Sequence, residues 1–455
     1  MKKMNEIEKE VLKKVTPSTS DRKILEKIIK ELKEILLKEI EKRNLPVKIE
    51  LVGSTAKDTY LKTNLDIDYF LLFPTKFDKI DISKNTLSIG KKILSDTEES
   101  YAEHPYLRGY YKNYFVEIVP SYKIEKASQK LSAVDRTPLH TKYILENLSE
   151  KQKPEVLLLK QFLRGIGCYG AEAEIEGFSG YLCEILVLKY GTFNNIIKNA
   201  KNWKFGKKLS LTKDIIPKFD TALIFIDPVD RKRNVASALS VEKFNLFIKA
   251  CDAYLNKPNI KFFFPVKIKP WSIEKIKKEL YKHKSQFIGI KLDKPEIINE
   301  NLYPQMRKAV KAIWKNCIKN DFTIFDVTFH IDDKKNFVYI IIKTKEETLT
   351  NIVEHMGPPI KLKKNVDEFK NKWEDDKRLI KGPYEKKGRI FVEIEREFID
   401  IKKFLISKIK EFSLGKDIGI IINKKYSFVN LNKLLNEDLK IFWTEYLDNK
   451  MSWER

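Results

Sequence analysis

Two aspartates stand at the mouth of what reads as a buried strand. The segment Val52 to Pro74 is VGSTAKDTYLKTNLDIDYFLLFP, and Asp66 and Asp68 interrupt its apolar run. Aspartate is disfavoured in strand interiors, and a carboxylate without a partner is expensive to bury. Side chains alternate faces along a strand, so these two project together, about 7 Å apart along the backbone. Ionised carboxylates held that close repel one another. The repulsion raises a pKa unless a cation sits between them, and a divalent metal ion is the simplest resolution.

A third acid, Glu117, lies in the alternating segment YKNYFVEIVP, a second predicted strand with Phe115, Glu117 and Val119 on one face. Three carboxylates from neighbouring strands offer the hard oxygen ligands that suit magnesium, which also binds substrate phosphates. D-x-D alone is common and sits as readily on a solvated sheet face. Gly53-Ser54 sharpens the reading, because it ends the strand VKIEL and precedes a short helix predicted from Thr55. Backbone N–H groups at such a turn, with the Ser54 hydroxyl and Lys57, can cradle phosphates. The combination describes a nucleotidyl-transfer site with two metal ions about 4 Å apart. Asp66 and Asp68 would bridge both ions and Glu117 would hold the one that activates the attacking hydroxyl. No histidine or cysteine nucleophile is required.

Around this strand the pattern predicts an α+β chain. A Ser/Thr/Asp cluster at Ser18 to Asp21 precedes apolar residues at Ile24, Leu25, Ile28, Ile29, Leu32, Ile35, Leu36 and Ile40, a helical period with a start signal. PEVLLLKQFLRGIG and FSGYLCEILVLKYG predict two more helices, the second capped by Ser179. TALIFIDP is an apolar run, and a helical pattern follows from about Asn234 to Tyr254. Beyond Pro265, FIGIKL, a helix near Tyr303 to Ile318, and the strands TIFDVTF and FVYIIIK joined by IDDKKN suggest helices covering an antiparallel sheet. The expected division is 1–139, a mainly helical 140–264, and 265–455.

At 455 residues the chain exceeds the size of one usual core, and 88 Lys plus Arg against 64 Asp plus Glu gives a net charge of +24. That surplus favours a polyanionic partner such as nucleic acid, although a lysine-rich proteome produces the same balance. Four scattered cysteines suggest neither disulfides nor zinc. No apolar run of membrane length or signal-peptide core is apparent, so the expected location is the cytoplasm.

These residues resemble a known family. GST, DIDYFLLFP and VEIVPSY look like the head of the archaeal, class I CCA-adding enzymes, tRNA nucleotidyltransferases of the polymerase-β-like superfamily. LLKQFLRGIGCYGAE, EGFSGYLCEIL, DPVDRKRNVASAL, EHMGPPI, NVDEFKNKW and KGPYEKKGRIFVEIEREF extend the likeness, in family order, over nearly the whole chain. The resemblance implies a polymerase-β-like nucleotidyltransferase head with a mixed or antiparallel sheet, a helical neck, and an α+β body and tail that hold the acceptor and T arms of tRNA. It implies template-independent addition of C, C and A from CTP and ATP with two magnesium ions, and it admits a homodimer. A poly(A) polymerase and a non-catalytic RNA-binding relative are the alternatives.

Carried over by motif, Gly53, Ser54 and Lys57 would hold the triphosphate, and His140, Lys160 and Tyr169 the phosphates or sugar. Arg233 would read the base, because a guanidinium offers donors to acceptors found on both cytosine and adenine, with Arg231 a close competitor. Without the resemblance, His140 and Tyr169 read as ordinary junction and packing residues, and Phe262 to Phe264 as core. EHMGPP reads either as an RNA contact through His355 or, equally well, as a turn at Gly357, Pro358 and Pro359. Two departures matter: the third acid of the family is usually aspartate, one methylene shorter than Glu117, and Lys57 stands where arginine is frequent.

Overall fold

The computed structural model describes residues 5–63, 65–101, 104–213 and 217–455. Contacts divide the chain into two compact units, Met1–Lys267 with Lys450–Arg455, and Ile268–Asn449.

The first unit opens with helices Glu6–Val15 and Thr19–Glu41. Ser18 caps the second: its hydroxyl accepts from Asp21 N–H, and the Asp21 carboxylate accepts from Ser18 N–H. Such reciprocal capping satisfies two orphan donors. Leu25, Ile28, Leu32, Leu36 and Ile40 form the buried stripe, each side chain contributing about 1.5–3 kcal/mol when fully buried. Ile24, on the edge of the predicted stripe, is exposed.

That stripe packs on a five-stranded sheet made of β1 (Lys48–Val52), β2 (Asp66–Phe73), β3 (Ser95–Tyr101), β4 (Pro105–Tyr111) and β5 (Tyr114–Tyr122), in the order β1-β2-β5-β4-β3. β2 and β5 are parallel and the other pairs antiparallel, so the sheet is mixed. Ile67, Tyr69, Leu71 and Phe73 face the helical side with Val116 and Ile118. Phe70 and Leu72, on the side of Asp66 and Asp68, form a second small cluster with Val52, Tyr106 and Val119. Burial of both faces beyond Asp68 explains why β2 reads as a continuous apolar run.

The rest of this unit is largely helical, with Thr137–Asn147, Lys153–Gly165, Gly180–Tyr190, Phe193–Ala200 and Val241–Asn256, plus a two-stranded parallel pair, β6 (Lys207–Leu209) and β7 (Leu223–Phe225). Ser179 caps the 180–190 helix as expected. The helix expected from Asn234 begins seven residues later, behind the Ser240 cap. Asn234 instead clamps β7: its Oδ1 accepts from Phe225 and Ala236 N–H, and its Nδ2 donates to the Leu223 carbonyl. Asparagine competes for backbone groups in this way, which is why it favours turns. Phe262 and Phe263 are core: Phe262 stacks on Phe162, Phe263 meets Phe162 and Tyr254 edge-on and is tilted against Phe193, and Trp453 stacks on Phe262 at 5.0 Å.

The second unit contains β8 (Gln286–Asp293), β9 (Ile324–Asp332), β10 (Phe337–Thr344), β11 (Ile352–Pro359), β12 (Leu379–Lys386), β13 (Arg389–Glu395) and β14 (Ser427–Asn430). An antiparallel sheet in the order β14-β8-β10-β9 carries helix Asn299–Lys319 against it, starting four residues before the expected Tyr303. Asp332 pairs Phe337 across the β9–β10 turn, within the IDDKKN connection expected from the sequence. A second sheet, β11-β13-β12, is covered by helix Lys363–Glu374. Gly357 to Pro359 end β11 rather than forming a turn, and the register shift between Met356 and Pro359 accommodates prolines that cannot donate to the ladder. His355 stacks on Phe369 and meets the edge of Trp373. All four cysteines are buried and unpaired, and no described helix is long and apolar enough to cross a membrane.

Candidate active site

Strand register assembles the acids. Asp68 on β2 lies beside Glu117 on β5, and Glu117 beside Arg108 on β4. On the other flank Asp68 pairs with Val52, the last residue of β1, immediately before Gly53. Gly53 has φ +73°, and a Cβ there would fall 1.9 Å from Asp68 Oδ2. Glycine is thus needed twice, for the left-handed backbone and for the space the carboxylate occupies. The helix Gly53–Lys57 follows at once, and Thr55 Oγ1 donates to the Asp66 carbonyl, tying that turn to β2.

Burial raises the pKa of all three carboxyls. Asp68 moves furthest, to about 8, because Glu117 and Asp66 add like charge to its burial. Arg108 offsets part of this: its Nε lies 2.8 Å from Glu117 Oε1, and its Nη2 donates to Tyr106 Oη at 2.7 Å. As placed, no three His, Cys, Asp or Glu side chains among the described residues converge tightly enough to grip an ion. The donors nevertheless fit magnesium, since all are hard oxygens and the crowded Asp68 carboxyl is the kind of group a divalent cation relieves.

Lys57 and Lys160 turn inward to a group the sequence reading had passed over, Glu184. This carboxylate is fully buried, with Oε2 2.6 Å from Lys57 Nζ and Oε1 accepting from Thr59 Oγ1 at 2.6 Å. Lys160 Nζ donates to the Thr59 carbonyl at 2.8 Å and stands 3.7 Å from Glu184 Oε1. Burial opposes ionisation of Glu184, yet the two lysines outweigh it and hold the carboxyl below its usual range. The missed signal was a glutamate inside the apolar helix LCEILVL, where a buried acid demands cationic partners.

Beside Asp66 opens a cavity of about 560 Å³ lined by Arg164, Tyr169, Glu172, Ser179 and Gly180 among others. A Cβ on Gly180 would lie 3.3 Å from Tyr169 Oη and 3.6 Å from Lys160 Nζ, so the bare glycine leaves both groups close to that space. Ser54 is half-buried on the short helix.

His140 and Arg233 meet elsewhere, on Asp227. Its Oδ2 lies 2.8 Å from His140 Nε2 and accepts from Arg233 Nη1 at 3.0 Å, while Oδ1 accepts from Tyr181 Oη at 3.1 Å. Tyr181 stacks on His140 with ring centres 4.1 Å apart. Burial lowers the His140 pKa against the opposing pull of the Asp227 carboxylate. One helix serves both clusters, for Tyr181 and Glu184 are three residues apart on the 180–190 helix and share a face. Asp227 and Tyr181 were also missed, although both lie in segments that carried the resemblance.

Family sequence profiles match in the same order. The profile described as a nucleotidyltransferase domain covers residues 25–140, that of the second domain of tRNA nucleotidyltransferase 154–264, and that of the C-terminal domain of CCA-adding enzyme 284–430. The CCA-adding enzyme of Methanosarcina barkeri is 33% identical over 96% of this chain and 97% of its own length. That of Methanocaldococcus jannaschii is 35% identical over 91% and 94%, and that of Picrophilus torridus 34% over 91% of each. Such identity across almost the full length of both chains places this protein in the family of CCA-adding enzymes, tRNA nucleotidyltransferases with a mixed-sheet nucleotidyltransferase head.

Proposed function

We propose that the protein completes tRNA 3′ ends with C, C and A from CTP and ATP by nucleotidyl transfer at the β2–β5 carboxylates. The observation that carries this reading is the register setting Asp68 beside Glu117 with Gly53 closed against Asp68. In each step the RNA 3′ hydroxyl oxygen forms a bond to the α-phosphorus, the bond to the β-phosphate oxygen breaks, pyrophosphate leaves, and the hydroxyl gives up its proton. Asp66, Asp68 and Glu117 would hold two magnesium ions, which when bound lower the pKa of the hydroxyl and neutralise charge on the leaving group.

The chain's own groups supply the rest. Gly53 and Ser54, with Tyr169 lining the 560 Å³ cavity, are read as the triphosphate and sugar site; Lys57 and Lys160, buried on Glu184, join it only by leaving that carboxylate. His140, held on Asp227, would contribute a hydrogen bond to the phosphates or sugar, and Arg233 the base contact. Residues 1–139 serve as head, 140–264 as neck and 265–455 as the tRNA-holding body and tail, in the cytoplasm. The surplus charge of +24 supports RNA binding that weakens steeply with salt.

The test is to incubate the protein with magnesium, CTP, ATP and a tRNA lacking its CCA end, then sequence the products. Addition of CCA followed by a stop is expected. Continued adenylate addition would make it a poly(A) polymerase, and tight tRNA binding without addition would make it a binding protein.

A further inference from the structure

The sequence alone leaves Arg231 and Arg233 as rivals for the base contact, and the loop 227–233 treats them differently. Asp227 N–H donates to the Arg233 carbonyl at 3.1 Å, and Arg233 N–H to the Asp230 carbonyl at 2.8 Å. Arg233 is therefore held by its backbone on both sides and by its guanidinium on Asp227, while Arg231 lies exposed at the outer part of the loop. The loop is pinned again through Asp230, which takes Lys130 at 2.5 Å and Arg136 at 3.1 Å.

Asp227 itself has little freedom. It is fully buried, its Oδ1 accepts from Val229 N–H and Tyr181 Oη, and its Oδ2 faces His140 and Arg233. A carboxylate satisfied at both oxygens cannot rotate without abandoning several partners, and the single Arg233 Nη1 contact at 3.0 Å anchors one end of the guanidinium to that fixed point. About a third of the Arg233 side chain stays exposed, with Nη1 engaged on Asp227, so its remaining donors can meet a ligand in a fixed direction.

We propose that Asp227 is a positioning residue that sets nucleotide choice by aiming Arg233. This rests on the reading that Arg233 contacts the base. Selectivity for C over U, and for A over G, then depends on the direction of the guanidinium as well as on its charge, and the 180–190 helix takes part through Tyr181.

The experiment measures kcat/KM for CTP and UTP on tRNA lacking CCA, and for ATP and GTP on tRNA ending in CC, with the full chain. Each ratio comes from one preparation, so partial misfolding cancels. Asp227→Asn keeps the shape and loses the charge that holds Arg233. It is expected to lower C-over-U and A-over-G selectivity by about 10-fold to 100-fold. Arg233→Lys should lose selectivity to a similar degree, and adding Asp227→Asn to it should change the ratios little, because both act through one group. An equal fall for all four nucleotides in Asp227→Asn would overturn the assignment and leave a structural role. So would additive effects in the double variant, or a selectivity loss confined to Arg231→Lys. A wild type that adds neither C nor A would overturn the proposed function itself, and this assignment with it.

Discussion

Replacing Gly53 with alanine tests the site at its tightest point. The new methyl carbon would stand 1.9 Å from Asp68 Oδ2, against an ordinary contact of about 3.4 Å, so the carboxylate or the turn must retreat by about 1.5 Å. Alanine must also hold φ near +73°, which costs about 1–2 kcal/mol. The fold can absorb that strain in a unit with three hydrophobic clusters, but catalysis cannot absorb the displacement. A misplacement of about 1 Å typically costs about 100-fold in rate. Single-turnover addition of CMP to tRNA lacking CCA, at saturating CTP, should therefore slow by about 100-fold or more. The melting temperature should fall by only a few degrees, roughly 2–4 °C per kcal/mol in a unit of this size. Wild-type single-turnover rates in a folded Gly53→Ala protein would refute the placement of Asp68 at the reaction centre.

Glu184→Gln strands two buried ammonium groups and should destabilise the first unit by about 3–5 kcal/mol; thermal denaturation reads the loss, Lys57→Met in the same background should restore part of it, and an unchanged melting temperature would mean that the lysines find other partners. Asp68 is raised to about 8 in the folded protein, so its contribution to the metal-free fold is fully present at acid pH and fades as pH rises from about 4 to about 8. Magnesium should therefore raise the melting temperature more at about pH 9 than at about pH 6, and an equal rise at both would remove Asp68 from the ion site. Arg108→Gln frees Glu117 from its ion pair, so half-saturation of the melting shift should occur at lower magnesium; a higher requirement would show that Arg108 helps to build the site.

The sequence by itself determined what neighbours along the chain can settle. Ser18 with Asp21, and Ser179 with the N–H three residues on, are capping events within one turn, and both helices begin where their caps say. The alternation around Glu117 and the turn between β9 and β10 are likewise local, and the order of motifs was enough to suggest the family. Where local pattern misled, a distant group had taken over: Asn234 is spent on β7 instead of starting a helix, and Gly357 to Pro359 extend a strand paired with β13. The site's wiring was not legible at all. Lys57 meets Glu184 across 127 positions and His140 meets Asp227 across 87. A buried charge takes whichever opposite charge the packing delivers, and only the tertiary structure decides which one that is.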